Sequence, residues 1–145
     1  ASGAARQGDG PGQASAAVRA MDCLHPVADA LPDGARLLRL PSFQALPIPW
    51  PRELPACASR GGAATAHDFV VAVSHCWPES LHSDGASTSR RALLDALSRL
   101  AERHSQPGDA LVFHELLALP VSPRRLGARD RLRCFLRADA IVLVL

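Results

Sequence analysis

Apolar residues gather in three short, nearly unbroken runs along this chain, at residues 69–73, 110–119 and 140–145. None alternates apolar with polar positions. Valine-rich runs of this length read as strands buried on both faces, the kind a parallel sheet makes. The first, within "DFVVAVSHCW" (68–77), organises the rest, because it breaks abruptly into Ser74, His75 and Cys76 before Trp77 and Pro78. The second predicts a strand through about His114, with Glu115 near its end, before "PVSPRR" breaks it. Between these two runs the leucines at 93, 94, 97 and 100, with Ala96 and Ala101, fall one, three and four apart. That spacing predicts a helix over 89–104, capped by Ser87 or Thr88 and stopped by Pro107 and Gly108. Arg90, Arg91, Arg99, Arg103, Asp95 and Glu102 mostly fall away from its apolar stripe. Leu126, Leu132, Phe135 and Leu136 predict a shorter helix at about 126–137.

Strand, helix, strand, helix, strand is the pattern of a three-layer α/β domain with a parallel sheet. Right-handed crossovers would place the helices on its faces. Polar groups at the carboxyl ends of such strands lie where open α/β sheets keep their ligand sites. Three strands make a thin sheet, and the bare apolar strand at 140–145 would leave an exposed edge. The expectation is therefore a truncated domain, the first half of a larger one.

Ahead of this unit the chain is irregular. Residues 1–20 are small, polar and glycine-rich, which predicts a disordered tail. Residues 21–66 carry prolines at 26, 32, 41, 47, 49, 51 and 55, which argue against any long helix or central strand. Leu37, Leu38, Leu40, Phe43, Leu46, Ile48 and Trp50 nevertheless hold too much apolar surface to leave in water. This segment is expected to pack on the domain as extended or single-turn pieces, with 57–67 as a flexible linker. The partial α/β domain itself is taken as 67–145.

Composition narrows the picture further. All 16 cations are arginine, yet the formal net charge is only +2, so no nucleic-acid footprint follows from charge. The basic run "SPRRLGARDRLR" reads as the solvated face of the second helix, with phosphate or RNA contact as the alternative. Four dispersed cysteines, 23, 57, 76 and 134, form no close pair and suit reduced thiols in a cytoplasmic setting. No apolar run approaches the ~20 residues a membrane-spanning helix needs. Phosphate-loop, dinucleotide, nucleophile-elbow and zinc-helix motifs are absent from the sequence.

"DFVVAVSHCWPESLHSDG" resembles the strand-and-loop signature "V-x-SH-x-W…H-P-D" of TIR-like domains in algae and protists. It is also similar to the start of fungal heterokaryon-incompatibility domains. Ser74, His75 and Trp77 match the strand-end motif; His82 and Asp84 match the loop. In the second strand Phe113, Leu119, Pro120 and Arg124 fall at the family's positions, with Glu115, Ala118 and Val121 where it has aspartate, serine and glutamine; in the loop Ser83 replaces its proline. The resemblance covers about 68–145 and implies a flavodoxin-like fold. It also implies one of two roles. Some TIR domains self-associate in signalling and engage protein partners. Others cleave NAD as substrate with a glutamate on a later helix, which would fall beyond residue 145. A degenerate, inactive fragment is a third reading; no resident cofactor is implied.

Each candidate residue carries a plainer alternative. Ser74 and His75 read as hydrogen-bonding groups for a nucleotide-type ligand at the sheet rim, or as groups that satisfy the strand end. Trp77 reads as a stacking platform or a packing anchor, and His82 with Asp84 as ribose or metal contacts or as self-capping loop residues. Glu115 reads as an acceptor for ribose hydroxyls or as the partner of Arg124 or Arg125. Neighbours on a strand face opposite ways, so His75 is badly placed to activate Cys76 as a nucleophile. A zinc site from His75, Cys76 and His82 fits no established ligand spacing.

Overall fold

A computed structural model describes residues 18–23, 31–32, 34–47, 50, 58–75, 87–104, 108–115 and 128–145. The three apolar runs are strands: β4 (Val70–His75), β5 (Leu111–His114) and β6 (Ala140–Val144). β4 is central and parallel to both neighbours, with Val73 opposite His114 and Val142. The two amphipathic stretches are α2 (Ser87–Arg103) and α3 (Ala128–Arg137). Ser87 is thus already helical rather than the cap, and residues 126–127 lie outside the described residues.

α2 and α3 cover opposite faces, as right-handed connections running first one way and then back across β4 require. Leu93, Leu97, Leu100 and Ala101 pack with Val71, Val73, Val112, Val142 and Val144 on one face. Cys134 and Ala138 pack with Val70, Ala72, Leu111 and Phe113 on the other. Strand alternation therefore assigns every odd residue of β4 to the α2 side and every even one to the α3 side. Arg137 and Asp139 fasten the amino end of β4. Asp139 Oδ2 accepts the Val70 amide at 2.8 Å, while Arg137 donates to Asp139 Oδ2 and to the carbonyls of Thr65 and Asp68.

The N-terminal segment differs from expectation. Val18–Ala20, assigned to the disordered tail, open β1 (Val18–Asp22), which pairs antiparallel along the whole of β6. The edge of β6 expected to be bare is therefore covered, and the argument for a missing half from that edge falls away. β2 (Arg36–Arg39) pairs antiparallel with β5, and the two-residue β3 (Ser59–Arg60) pairs with β2. The sheet order is β1-β6-β4-β5-β2-β3, a mixed α/β sheet rather than three parallel strands alone. The prolines did not prevent β2 because the 33–40 interval between Pro32 and Pro41 contains none.

The proposed linker at 57–67 contributes β3 and a single 3-10 turn, Gly61–Ala63. A Cβ at Gly61 would stand 2.1 Å from the Pro32 carbonyl oxygen, so two backbone segments touch where the sequence suggested slack. The expected single-turn piece is α1 (Leu40–Gln44), with Pro41 in its first turn, where proline's missing amide costs nothing. α1 carries Phe43, and Leu46 and Trp50 follow it; all three are buried in the α2-side core.

Candidate functional site

The carboxyl ends of β4 and β5 present two separate groups, divided by the sheet. On the α2 side are His75 and His114, the last residues of their strands, with ring centroids 5.7 Å apart. Trp50 covers both, edge-on at 6.3 Å from His75 and 5.3 Å from His114. Phe43 stacks on His114 at 6.2 Å and leans on Trp50 at 5.8 Å. His75 is 3% and His114 2% exposed, so both imidazoles belong to the core. Burial holds the His75 ring below the ordinary histidine range. Burial, with the neighbouring His75 ring, pushes His114 down to about 3. Both rings are neutral at pH 7, because charging them means taking a cation out of water.

Arg90, in the first turn of α2, joins this group. Its guanidinium lies over Trp50 at 5.9 Å, and Nη2 donates to the carbonyls of Gln44 (3.1 Å) and Leu46 at the end of α1. The sequence reading set Arg90 on the solvent side; it is 7% exposed. Its hydrophobic stem follows the leucine stripe, and its head closes the top of the core.

On the α3 side, the Ser74 hydroxyl hydrogen-bonds the Glu115 carboxylate. Burial raises Glu115 above the usual carboxylate range, offset by Arg131 of α3 and by the Ser74 bond. The Glu115 amide also donates to the Val73 carbonyl at 3.1 Å, continuing the parallel ladder one residue past β5. The cation facing Glu115 is thus Arg131; Arg124 and Arg125 lie outside the described residues.

Of the six residues singled out, Ser74, His75 and Glu115 do meet along one rim. They do not form one site, because alternation sends His75 through the sheet from the other two. Trp77, His82 and Asp84 lie outside the described residues, as do Cys57 and Cys76. Cys23 and Cys134 are free thiols, and burial pushes Cys134 up to about 12, which leaves it protonated and inert. Among the described residues no group of three metal-ligating side chains occurs.

Two residues that the sequence did not flag complete the α2-side group. His114 was recognised only as a polar break in a strand, although its parity with Val112 marks it as inward. Trp50 was expected to pack, but its partner 25 residues on cannot be read from local spacing. No family model, curated protein or solved structure matches this chain. Among the described residues no helix is long and apolar enough to cross a membrane.

Proposed function

We propose that this chain is a TIR-like signalling and assembly module of flavodoxin-like type, which acts by protein–protein association. Two features support the fold part of the reading. The parallel strands run in the order second, first, third (β5-β4-β6), with helices on both faces, the opening arrangement of flavodoxin-like sheets. The motif residues Ser74 and His75 fall at the end of the first of them.

The observation that carries the association part is on α3. Leu132 and Leu136, one helical turn apart, are 58% and 37% exposed, while Cys134 and Arg137 on the opposite side are buried. Exposed Arg129 and Arg133 flank the pair. Leucine at both positions of an outward ridge is surface a soluble partner would cover, and each leucine so covered contributes about 1.5–3 kcal/mol. The burial of His75 beneath Trp50 points the same way, since it uses the strand end for packing.

Sedimentation velocity or light scattering against concentration tests this. The expected result is a mass that rises with concentration, and a return to monomer in the Leu132→Asp, Leu136→Asp double variant. A strictly monomeric wild type would refute it.

A second reading, an NAD-processing domain, is favoured by one contact, the Ser74–Glu115 pair at the carboxyl rim. A carboxylate held there by a serine suits ribose hydroxyls. Incubation with NAD, followed for nicotinamide release, separates the two: turnover by this chain would displace the assembly-only reading.

A further inference from the structure

The two faces of the sheet are unequally roofed. Strands lie about 4.8 Å apart and packed helices about 8–10 Å apart, so one helix covers about two strands. On one face α2 packs on β1 and β6, and α1 packs on β2 and β5. On the other, α3 packs on β4 and, through Phe135 against Phe113 at 6.1 Å, on β5. Among the described residues no second helix lies on that face over β6 and β1. Burial records the difference. Val142 and Val144, on the α2 side of β6, are fully buried, whereas Ile141 and Leu143, on the α3 side, are half-buried. Met21, directly opposite Ile141 in the ladder, and Leu145, next in the same alternation, are each 48% exposed. Ile141 reaches the α3-side core; Met21 and Leu143 pack in neither core.

This bare floor is one helix wide, and its charge says what kind of helix fits. Arg19, directly opposite Leu143 in the ladder, is exposed on the same face. Phe135 turns one flank of α3 toward β5, so Arg133, two residues earlier, lies on the flank toward β6, and it too is exposed. Neither arginine has an ion pair among the described residues. Asp130, on the same flank, is half-buried, and Asp139 is taken by Arg137 and the Val70 amide, so the exposed charge around the floor is positive. The exposed leucine ridge of α3 is itself flanked by Arg129 and Arg133, so the ridge of a second copy would bring like charge to the seat.

We propose that the α3-side face of β6 and β1 is the seat of one acidic amphipathic helix from a partner protein. Its apolar stripe covers Met21, Ile141 and Leu143, and its acidic flanks meet Arg19 on β1 and Arg133 on α3. β6 has five residues and so runs about 17 Å, which matches about three turns of helix. With that helix in place, both faces of the sheet carry two helical elements side by side. The floor is made by strands and not by the ridge, so the seat stands or falls apart from self-association through Leu132 and Leu136, and apart from the Ser74–Glu115 pair.

The test is titration of the whole chain with a helical peptide of about 18 residues, built from leucine, alanine and glutamate, with leucines at i, i+3, i+4 and i+7 and glutamates on both flanks. The same peptide with every glutamate replaced by lysine is the control. Binding is followed by calorimetry and by the methyl resonances of Met21, Ile141 and Leu143. Saturable binding of the acidic peptide that shifts all three methyls is expected, with the lysine peptide inert. Arg19→Glu, at an exposed position, should weaken binding at least about tenfold, whereas Arg91→Glu, exposed on α2, should leave it unchanged. Shifts of the three methyls with protein concentration alone would name a second copy as the occupant and overturn the proposal. So would equal binding of the lysine peptide, binding that leaves the three methyls unmoved, or no saturation up to about 1 mM.

Discussion

Acid should unfold this protein through His114. The folded state holds the imidazole neutral, with a pKa of about 3, against an ordinary 6.5 in the unfolded chain. A depressed histidine contributes stability that is complete above pH 6.5 and is lost as pH falls from there toward the folded pKa. Protonation of the unfolded chain alone sets the loss while pH stays well above 3. At pH 5 it amounts to about 2 kcal/mol, growing by about 1.4 kcal/mol per further pH unit. His75 shifts in the same direction for the same reason and adds to the slope. Glu115 opposes it, because a carboxyl raised by burial takes up protons more readily in the folded state. Asp22, lowered first by its hydrogen bond to His104, loses its contribution only near and below pH 4.

Against a typical total of 5–15 kcal/mol, about 2 kcal/mol from one side chain is easily measured. Urea unfolding at pH 7.5, 6.0 and 5.0, followed by far-ultraviolet circular dichroism, gives the curve. The wild type should lose at least about 2 kcal/mol between pH 7.5 and 5.0, and His114→Leu should lose distinctly less. Glu115→Gln should steepen the fall. A flat curve in the wild type, or an unchanged slope in His114→Leu, would refute the placement of a neutral imidazole in this core.

Three further outcomes are expected. Trp50→Ala should cost about 3–5 kcal/mol in denaturant unfolding and open the two histidines to exchange, since Trp50 is their lid and is 3% exposed. Asp139→Ala should cost about 2–4 kcal/mol by the same assay, because it removes the acceptor of the Val70 amide and leaves the buried Arg137 with carbonyls but no counter-charge, and Asp139→Asn should recover part of it. Gly61→Ala should lower stability by about 1–3 kcal/mol through the clash with the Pro32 carbonyl; a gain in melting temperature there would show that the two segments are not in contact.

The sequence by itself determined the central unit. Apolar run lengths gave β4, β5 and β6, and leucine spacing gave α2 and α3, because burial on both faces of a strand or one side of a helix leaves a local periodic imprint. It also located the polar ends, Ser74, His75 and Glu115, since a strand that turns polar must be leaving the core.

Tertiary structure decided the rest. β1 and β2 are short, and their partners lie 118 or more and about 70 residues along the chain, so their propensities say little until β6 and β5 exist to pair with. Alternation alone parts His75 from Ser74, but only the sheet could set Glu115 beside Ser74 and decide which helix covers each of the two faces. Only packing could turn Arg90 inward and set Trp50 over two histidines, for contacts between distant segments leave no mark on either segment alone.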